Sequence, residues 1–313
     1  MKKFTAVSDI KEVKAIVQSA IALKDQPYAD QALGKNKTLV LLFFNPSLRT
    51  RLSTQKAAMQ LGMQVMTMNA NQGWKLEVAE GAVMNLDKAE HIKEAAGVIS
   101  QYADIIGIRS FPTLTDRAKD YADEVLHTFI KYASVPVLSL ESAIRHPLQS
   151  LADAITIQEY RKVHRPKVVL TYAPHPRALP QAVANSFAEW MLAWDAVDLV
   201  ITHPKGMELS EIFTKGARIE YDQRAAFEGA DFIYAKNWSA YRDYGKRPKN
   251  ADDWMVDTAK MSLTNDAYFM HCLPVRRNVV VADAVIDSPK SLVLQQAYNR
   301  VFAAQVVLKT LLE

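Results

Sequence analysis

Hydrophobic positions along the chain alternate between two patterns. Short runs of apolar and β-branched residues are typical of strands buried on both faces, and they occur at 39–44, 105–108, 136–140, 168–171, 197–201, 232–235 and 268–270. Longer amphipathic stretches predict helices at 51–61, 92–103, 148–160, 181–194 and 291–312. Strands that alternate with helices favour parallel sheets covered on both faces. The pattern therefore predicts an α/β protein.

The predicted elements form two series rather than one. A chain of 313 residues is long for a single core, so two domains are favoured. The division falls near the helix at 148–160, which predicts doubly wound parallel-sheet domains at 1–147 and 148–290, followed by a terminal segment at 291–313. Ligands of such sheets bind at the carboxyl ends of strands, so we expect the active-site cleft between the two domains.

Composition excludes several classes of function. The net charge of +4 comes from 38 basic and 34 acidic residues, which is too dispersed for a nucleic-acid partner but suits small anions. The single cysteine, Cys272, permits neither an intramolecular disulfide nor a cysteine-based zinc site. We find no apolar signal segment and no membrane span. The expectation is a cytoplasmic protein without a metal, a cofactor or a membrane partner.

The first motif that could carry chemistry follows the predicted strand at 39–44. It reads Asn45-Pro46-Ser47-Leu48-Arg49-Thr50-Arg51, and a helix is predicted directly after it. Backbone N–H groups at a helix start, hydroxyls and guanidinium groups together favour a phosphate site. The alternative is a simple helix cap with solvated arginines. The motif lacks the glycines and the lysine of a Walker loop.

Two further motifs also follow predicted strands. In His146-Pro147-Leu148-Gln149, the imidazole and amide could hold a carbonyl and an amine, although a surface turn is the alternative. In His271-Cys272-Leu273-Pro274, the proline favours extended backbone, which would leave the carbonyls of Cys272 and Leu273 as free acceptors. Adjacent side chains of extended backbone point to opposite faces, so a Cys–His nucleophilic pair is disfavoured.

The ordered set of motifs resembles the aspartate/ornithine carbamoyltransferase family from Phe44 to Arg300. The resemblance implies two α/β domains, with the 291–313 segment packing back on the first domain. It also implies trimers with active sites at subunit interfaces. The implied catalytic residues are Arg109, His146 and Arg300. The implied carbamoyl-phosphate-binding residues are Ser47, Leu48, Arg49, Thr50, Trp74, Arg109, His146, Gln149, Cys272, Leu273 and Arg300.

One departure from ordinary ornithine enzymes bears on the acceptor. They carry an acidic Asp-x-Trp and a Ser-Met-Gly segment, whereas this chain has Tyr234-Ala235-Lys236-Asn237-Trp238 and no Ser-Met-Gly. The lysine fits an acceptor whose α-nitrogen is acylated and uncharged. The chain thus resembles the N-acylornithine branch. The implied acceptor-binding residues are Glu141, His175, Arg177, Lys236, Cys272 and Arg276, although the cations among them could be solvated instead.

The resemblance implies that Trp74 reaches the active site of a neighbouring subunit. The loop after Trp74 bears on which acyl group the acceptor carries. It reads Asp87-Lys88-Ala89-Glu90-His91. Ala89 facing the acyl group would leave room for succinyl, whereas Glu90 in that place would favour acetyl. We expect N-succinylornithine, with N-acetylornithine as the alternative. A non-catalytic binding relative, an ordinary ornithine enzyme and a dehydrogenase are the rival interpretations. The last lacks a Gly-x-Gly-x-x-Gly motif.

Overall fold

A computed structural model describes residues 1–70, 73, 75–248 and 251–313. Its central strands are buried on both faces of a sheet, whereas its edge strands are partly exposed. Within the described residues the strands are β1 Lys3–Phe4, β2 Thr38–Phe43, β3 Gln64–Asn69, β4 Leu76–Glu77, β5 Glu90–His91, β6 Ile105–Arg109, β7 Val137–Glu141, β8 Lys167–Tyr172, β9 Asp198–Thr202, β10 Arg218–Glu220, β11 Phe232–Lys236 and β12 Tyr268–Met270.

The helices follow the amphipathic stretches of the sequence. They are α1 Val13–Ala22, α2 Arg49–Gln60, α3 Ile92–Tyr102, α4 Arg117–Tyr121, α5 Glu124–Tyr132, α6 Pro147–Tyr160, α7 Ala182–Trp194, α8 Glu211–Thr214, α9 Gln223–Phe227, α10 Thr258–Met261, α11 Asp283–Ile286 and α12 Val293–Leu312. None of the helices in the described parts of the chain is long and apolar enough to cross a lipid bilayer.

Two parallel five-stranded sheets dominate the described structure, as the sequence predicted. The first has the strand order β1-β7-β6-β2-β3, and the second has the order β10-β9-β8-β11-β12. The strands β4 and β5 form a small parallel pair apart from them. The α/β class and the two parallel sheets are confirmed, and the cleft between them is described below.

Each sheet reverses its strand order at one point. In the first sheet the chain runs from β2 outward to β3 and then returns to β6 on the other side of β2. In the second sheet it runs from β8 to β9 and β10 and then returns to β11. Loops leave such a switch point in opposite directions and open a crevice between them. The carboxyl ends of β2, β6, β8 and β11 are therefore the expected walls of a binding site.

The largest core joins the two sheets instead of belonging to one of them. It contains Leu41 of β2 and Leu170 of β8, together with buried faces of α1, α6, α7 and α12. Helix α12 packs against both α2 and α6. Smaller cores cover the other face of each sheet. This packing places the last helix directly behind the first sheet's switch point, while the domain limits at 147 and 290 stay a prediction.

Candidate active site

Helix α2 begins at the switch point of the first sheet. Strand β2 ends at Phe43, and the following turn contains Pro46 and Ser47. The hydroxyl of Ser47 accepts a hydrogen bond from the backbone N–H of Thr50 at 3.3 Å, which orders the first turn of the helix. The N–H groups of this first turn have no partners within the helix, so the turn can bind an anion.

Two guanidinium groups meet on the Thr50 hydroxyl. Arg109, at the end of β6, donates to Thr50 Oγ1 at 3.3 Å, and Arg300 of α12 donates to the same atom at 2.6 Å. Arg109 also forms a 2.5 Å ion pair with Glu141, at the end of β7. Burial, and next the charge of Arg109, lower the pKa of Arg300 to about 10. The site therefore concentrates positive charge that a bound anion would stabilise.

His146 and Gln149 enter the same site from the start of α6. His146 precedes Pro147, which occupies the first turn, where a missing N–H is tolerated. The His146 ring is buried, and its Nε2 lies 3.5 Å from Glu141 Oε2. Burial and then the charges of Arg300, Arg109 and Lys236 hold the His146 pKa well below its usual range. The imidazole is therefore neutral at pH 7 and can donate one hydrogen bond.

Gln149 lies one turn farther along α6 and is also buried. Its Oε1 accepts a hydrogen bond from Arg300 Nη1, and its Nε2 donates to Asp153 at 2.7 Å. The amide oxygen thus faces the Arg300 guanidinium group. The sequence motif His-Pro-x-Gln consequently delivers one neutral donor and one acceptor to the same place.

The second sheet supplies the opposite wall. Lys236 ends β11, and His175 follows β8, so both come from that sheet's switch point. Cys272 and Leu273 follow β12. The predicted extended backbone of this motif is wrong at Leu273, which has a φ of 54° before a cis peptide bond to Pro274. His271 Nδ1 accepts from the Leu273 N–H at 2.9 Å, so this ring nitrogen is not directed at the Cys272 thiol.

These side chains line one cleft of about 1010 Å³. It brings together thirteen of the predicted residues, namely Ser47, Leu48, Arg49, Thr50, Arg109, Glu141, His146, Gln149, His175, Lys236, Cys272, Leu273 and Arg300. Two predicted acceptor residues lie outside its lining. Arg177 is exposed, and Arg276 is exposed with its Nε 3.1 Å from His175 Nε2. Trp74 lies outside the described residues.

Charge along the cleft is strongly one-sided. The described lining contains the cations Arg49, Arg51, Arg109, Lys236 and Arg300, with Glu141 as its acid. Burial lowers the pKa of Arg49, and the neighbouring charge of Arg109 lowers it further. Such a focused positive field attracts anionic ligands. No cluster of His, Cys, Asp or Glu suited to a metal ion was found within the described part of the chain.

Some lining residues are absent from the predicted binding set, although Asn45 and Arg51 belong to the predicted phosphate motif. The Phe111 ring lies 4.6 Å from the Arg109 guanidinium carbon, and its backbone N–H donates to Asn45 at 2.8 Å. Arg51 also lines the cleft, and its guanidinium carbon lies 4.6 Å from the centre of the Phe43 ring. The signal for Asn45 was available, because it stands immediately before Pro46 in the phosphate motif. The signal for Phe111 was its position two residues after the end of β6.

Family profiles match most of the chain. Residues 2–159 match the carbamoyl-P binding domain of aspartate/ornithine carbamoyltransferase, and residues 180–311 match the Asp/Orn binding domain. An N-succinylornithine carbamoyltransferase of Bacteroides thetaiotaomicron is 56% identical over 316 aligned positions, covering 100% of this chain and 99% of that protein. An N-acetylornithine carbamoyltransferase of Xanthomonas axonopodis pv. citri is 36% identical, covering 96% and 93%.

Solved structures agree with these relatives. A glutamate-to-alanine mutant of N-acetyl-L-ornithine transcarbamylase, complexed with carbamyl phosphate and N-succinyl-L-norvaline, matches with a TM-score of 0.93 and 35% identity. The match covers 99% of this chain and 100% of that one. An acetylornithine transcarbamylase complexed with acetylcitrulline has the same TM-score and identity. The chain described here belongs to the aspartate/ornithine carbamoyltransferase family.

Proposed function

We propose that the protein transfers the carbamoyl group of carbamoyl phosphate to the δ-amine of N-succinyl-L-ornithine. The products are N-succinyl-L-citrulline and phosphate, and the reaction is a step of arginine biosynthesis. The observation that carries this proposal is the meeting of Arg109 and Arg300 on the Thr50 hydroxyl. Two buried guanidinium groups at a helix start form a binding site for an acyl phosphate, in which the phosphate is bonded directly to a carbonyl carbon.

The phosphate end of the substrate would bind at the start of α2. Ser47, Leu48, Arg49 and Thr50 surround this helix start and line the cleft. Unpaired backbone N–H groups and the helix dipole favour a dianion there. Arg49 adds a guanidinium whose pKa is lowered by burial, and the negative charge of a bound phosphate would offset that cost by favouring the charged guanidinium.

The carbamoyl end would lie between Arg109, His146 and Arg300. The δ-nitrogen attacks the carbamoyl carbon, its new C–N bond forms, and the carbonyl oxygen becomes an oxyanion. The bond from carbon to the phosphate oxygen then breaks, and the nitrogen loses its proton to solvent or phosphate. Neutral His146 and the two guanidinium groups would donate to the oxyanion. Each such donor contributes roughly 10²–10³ in rate in comparable sites.

The cleft also contains hydrogen-bond acceptors for the carbamoyl NH2 group. Gln149 Oε1 faces the Arg300 guanidinium group and would accept from this NH2. The carbonyls of Cys272 and Leu273 would accept from the same group or from the attacking amine. These oxygens distinguish a carbamoyl group from an acetyl group, which has no NH2 donor.

The acylated acceptor would occupy the wall formed by the second sheet. Lys236, His175 and Glu141 line the cleft, and Arg276 and Arg177 both contact His175. Glu141 would lie near the amide of the acceptor. A relative at 56% identity is named for N-succinylornithine. A transcarbamylase with a glutamate replaced by alanine binds N-succinyl-L-norvaline. Both facts support succinyl as the acyl group, for which Ala89, an exposed small residue, would leave room.

N-Acetylornithine is the second candidate acceptor. Glu90 is half-buried immediately after exposed Ala89, and a shift of one residue would place its carboxylate toward the acyl group. Several relatives at about a third identity are named for N-acetylornithine. An acidic side chain at that place would repel the distal carboxylate of a succinyl group.

A cytoplasmic homotrimer with shared active sites is part of this proposal. Apolar side chains are exposed on helix α2 and on the edge strand β3, namely Leu52, Met59, Met66 and Met68. An exposed apolar patch can mark an interface between subunits, and these side chains are the ones that we propose for it. Ala89 does not line the cleft of its own chain. A neighbouring chain would therefore bring its own loop to this cleft.

The test is a product assay with carbamoyl phosphate and three acceptors in parallel: ornithine, N-acetylornithine and N-succinylornithine. Turnover with N-succinylornithine above the other two is expected. Preference for N-acetylornithine would overturn the succinyl assignment, and preference for ornithine would overturn the interpretation of Lys236.

A pair of variants sharpens the assay. Lys236→Gln should raise the KM for the acylated acceptor and leave the KM for carbamoyl phosphate near its native value. The matched control is Lys215→Gln, which removes a cation that is exposed and does not line the cleft. An equal effect of both variants would show that Lys236 acts only through net charge.

A further inference from the structure

A carboxyl group lies at the centre of a buried hydrogen-bond network directly behind the cleft. Asp153 of α6 is completely buried. Its Oδ1 accepts hydrogen bonds from Gln149 Nε2 at 2.7 Å and from Gln296 Nε2 at 2.6 Å. Gln296, on α12, in turn accepts from the backbone N–H of His271 at 3.0 Å. One carboxyl oxygen thus connects α6, α12 and the loop after β12.

Burial of the Asp153 carboxyl group reduces the stability of the folded protein. Its second oxygen, Oδ2, has no hydrogen bond within 3.5 Å among the described residues, and its remaining polar neighbour is the buried hydroxyl of Tyr234, which lowers the pKa of the carboxyl group. An apolar residue or an amide at this position would be easier to bury. Stability alone therefore does not account for an aspartate here.

The carboxyl group determines which way two amides point. A side-chain amide can turn by half a rotation with little change in shape, exchanging its donor and acceptor ends. The carboxyl oxygen accepts from both amides, so both NH2 groups turn toward it. The oxygen of Gln149 then faces Arg300, and the oxygen of Gln296 faces the His271 N–H.

We propose that Asp153 is a positioning residue that holds Gln149 with its amide oxygen toward the carbamoyl NH2 group. This inference rests on the proposed function. Arg300 also orients Gln149 in the unliganded protein, since its Nη1 donates to the Gln149 oxygen. When Arg300 turns to the carbonyl oxygen of the substrate, that contact weakens. Asp153 is then the remaining partner that keeps the Gln149 NH2 away from the substrate NH2.

The test compares two ligands that differ only at the carbamoyl group. Asp153→Leu removes the acceptor and should lower kcat/KM for carbamoyl phosphate roughly 10–100-fold, the range for a lost buried hydrogen bond. The Ki of inorganic phosphate, which lacks the carbamoyl group, should stay within about twofold. Asp153→Asn retains an acceptor oxygen, so its kcat/KM should stay within about threefold of native. A general structural role would instead weaken both ligands together.

A double-mutant cycle then asks whether Asp153 acts through Gln149. In the Gln149→Leu background, Asp153→Leu should produce little further loss. Three results would each overturn the inference. They are losses of kcat/KM that multiply in the double mutant, an equal loss of affinity for inorganic phosphate, and an Asp153→Asn variant as impaired as Asp153→Leu. Absence of turnover in the native chain would overturn the proposed function, whereas these outcomes overturn the inference alone. If Asp153→Leu does not fold, Asp153→Ala replaces it, with at least a tenfold selective loss expected.

Discussion

Replacing Asp153 with asparagine should stabilise the folded protein, and the gain should grow as the pH rises from 5 to 8. Burial raises the pKa of the native carboxyl group to about 7, although hydrogen bonds from Gln296, Gln149 and Tyr234 and the charge of Arg300 oppose that rise. In the unfolded chain the group has its ordinary pKa of 3.8. Between these two values the folded state holds more protons than the unfolded state. The native protein therefore loses stability as the pH rises through this window.

The magnitude follows from the distance between the two pKa values. About three pH units at 1.36 kcal/mol each correspond to about 4 kcal/mol, fully expressed above pH 7. At pH 5 the native protein has lost only about 1–2 kcal/mol of this amount. Asparagine does not titrate, so the Asp153→Asn variant avoids the loss at every pH. This gain is a large fraction of a typical unfolding free energy of about 5–15 kcal/mol.

Urea unfolding of the native chain and the Asp153→Asn variant at pH 5 and pH 8 measures the effect. The difference in unfolding free energy between the variant and the native protein should be about 2–3 kcal/mol larger at pH 8 than at pH 5. Asp25→Asn is the matched control, because Asp25 is exposed, and its effect should stay within about 0.5 kcal/mol. A gain that is equal at both pH values would refute the reasoning that Asp153 is ionised at a cost in the folded state.

Other predictions follow from the cleft and its surroundings. Arg300→Lys should lower kcat roughly 10²–10³-fold in steady-state assays, because a single ammonium cannot reproduce the planar fork that reaches Gln149 and Thr50; near-native turnover would contradict this. His146 is already neutral, so kcat/KM should rise between pH 6 and 9 with deprotonation of the acceptor amine, whose pKa is about 10. A step in kcat/KM near pH 6.5 that disappears in the His146→Asn variant would contradict the conclusion that His146 is neutral. Met66→Lys should reduce the mass measured by light scattering if the exposed face of β3 joins subunits, and an unchanged mass would exclude that interface.

Strands at the centre of each sheet were predictable because both of their faces are buried. Leu39–Phe43 and Val168–Tyr172 consist of consecutive buried residues, which gives the continuous apolar run that the sequence shows. Strand β3 was missed for the opposite reason. It lies at the edge of its sheet, and its residues alternate between exposed and half-buried positions. A polar, partly exposed edge strand has no comparable signal in the sequence.

The site could be predicted only in part. Local patterns placed Ser47 and His146 after strands, but no local pattern connects Thr50 with Arg300, 250 residues away; the family resemblance supplied that connection. The backbone at Leu273 was predicted wrongly, because a proline rule describes average preferences and not one loop. Asp153 escaped notice because an acidic residue within a helical stretch is usually solvated.

Helix α12 has a consequence for the order in which the site can form during synthesis. The ribosome adds residues from the N-terminus, so the phosphate-binding turn at Ser47 emerges long before Arg300 and Gln296. Until then the turn lacks one of its guanidinium groups, and the large core lacks the helix that packs on α2 and α6. Closing a contact across 250 residues is slow in folding. A nascent chain can thus possess most of the phosphate pocket while it is still unable to hold the carbamoyl group in place.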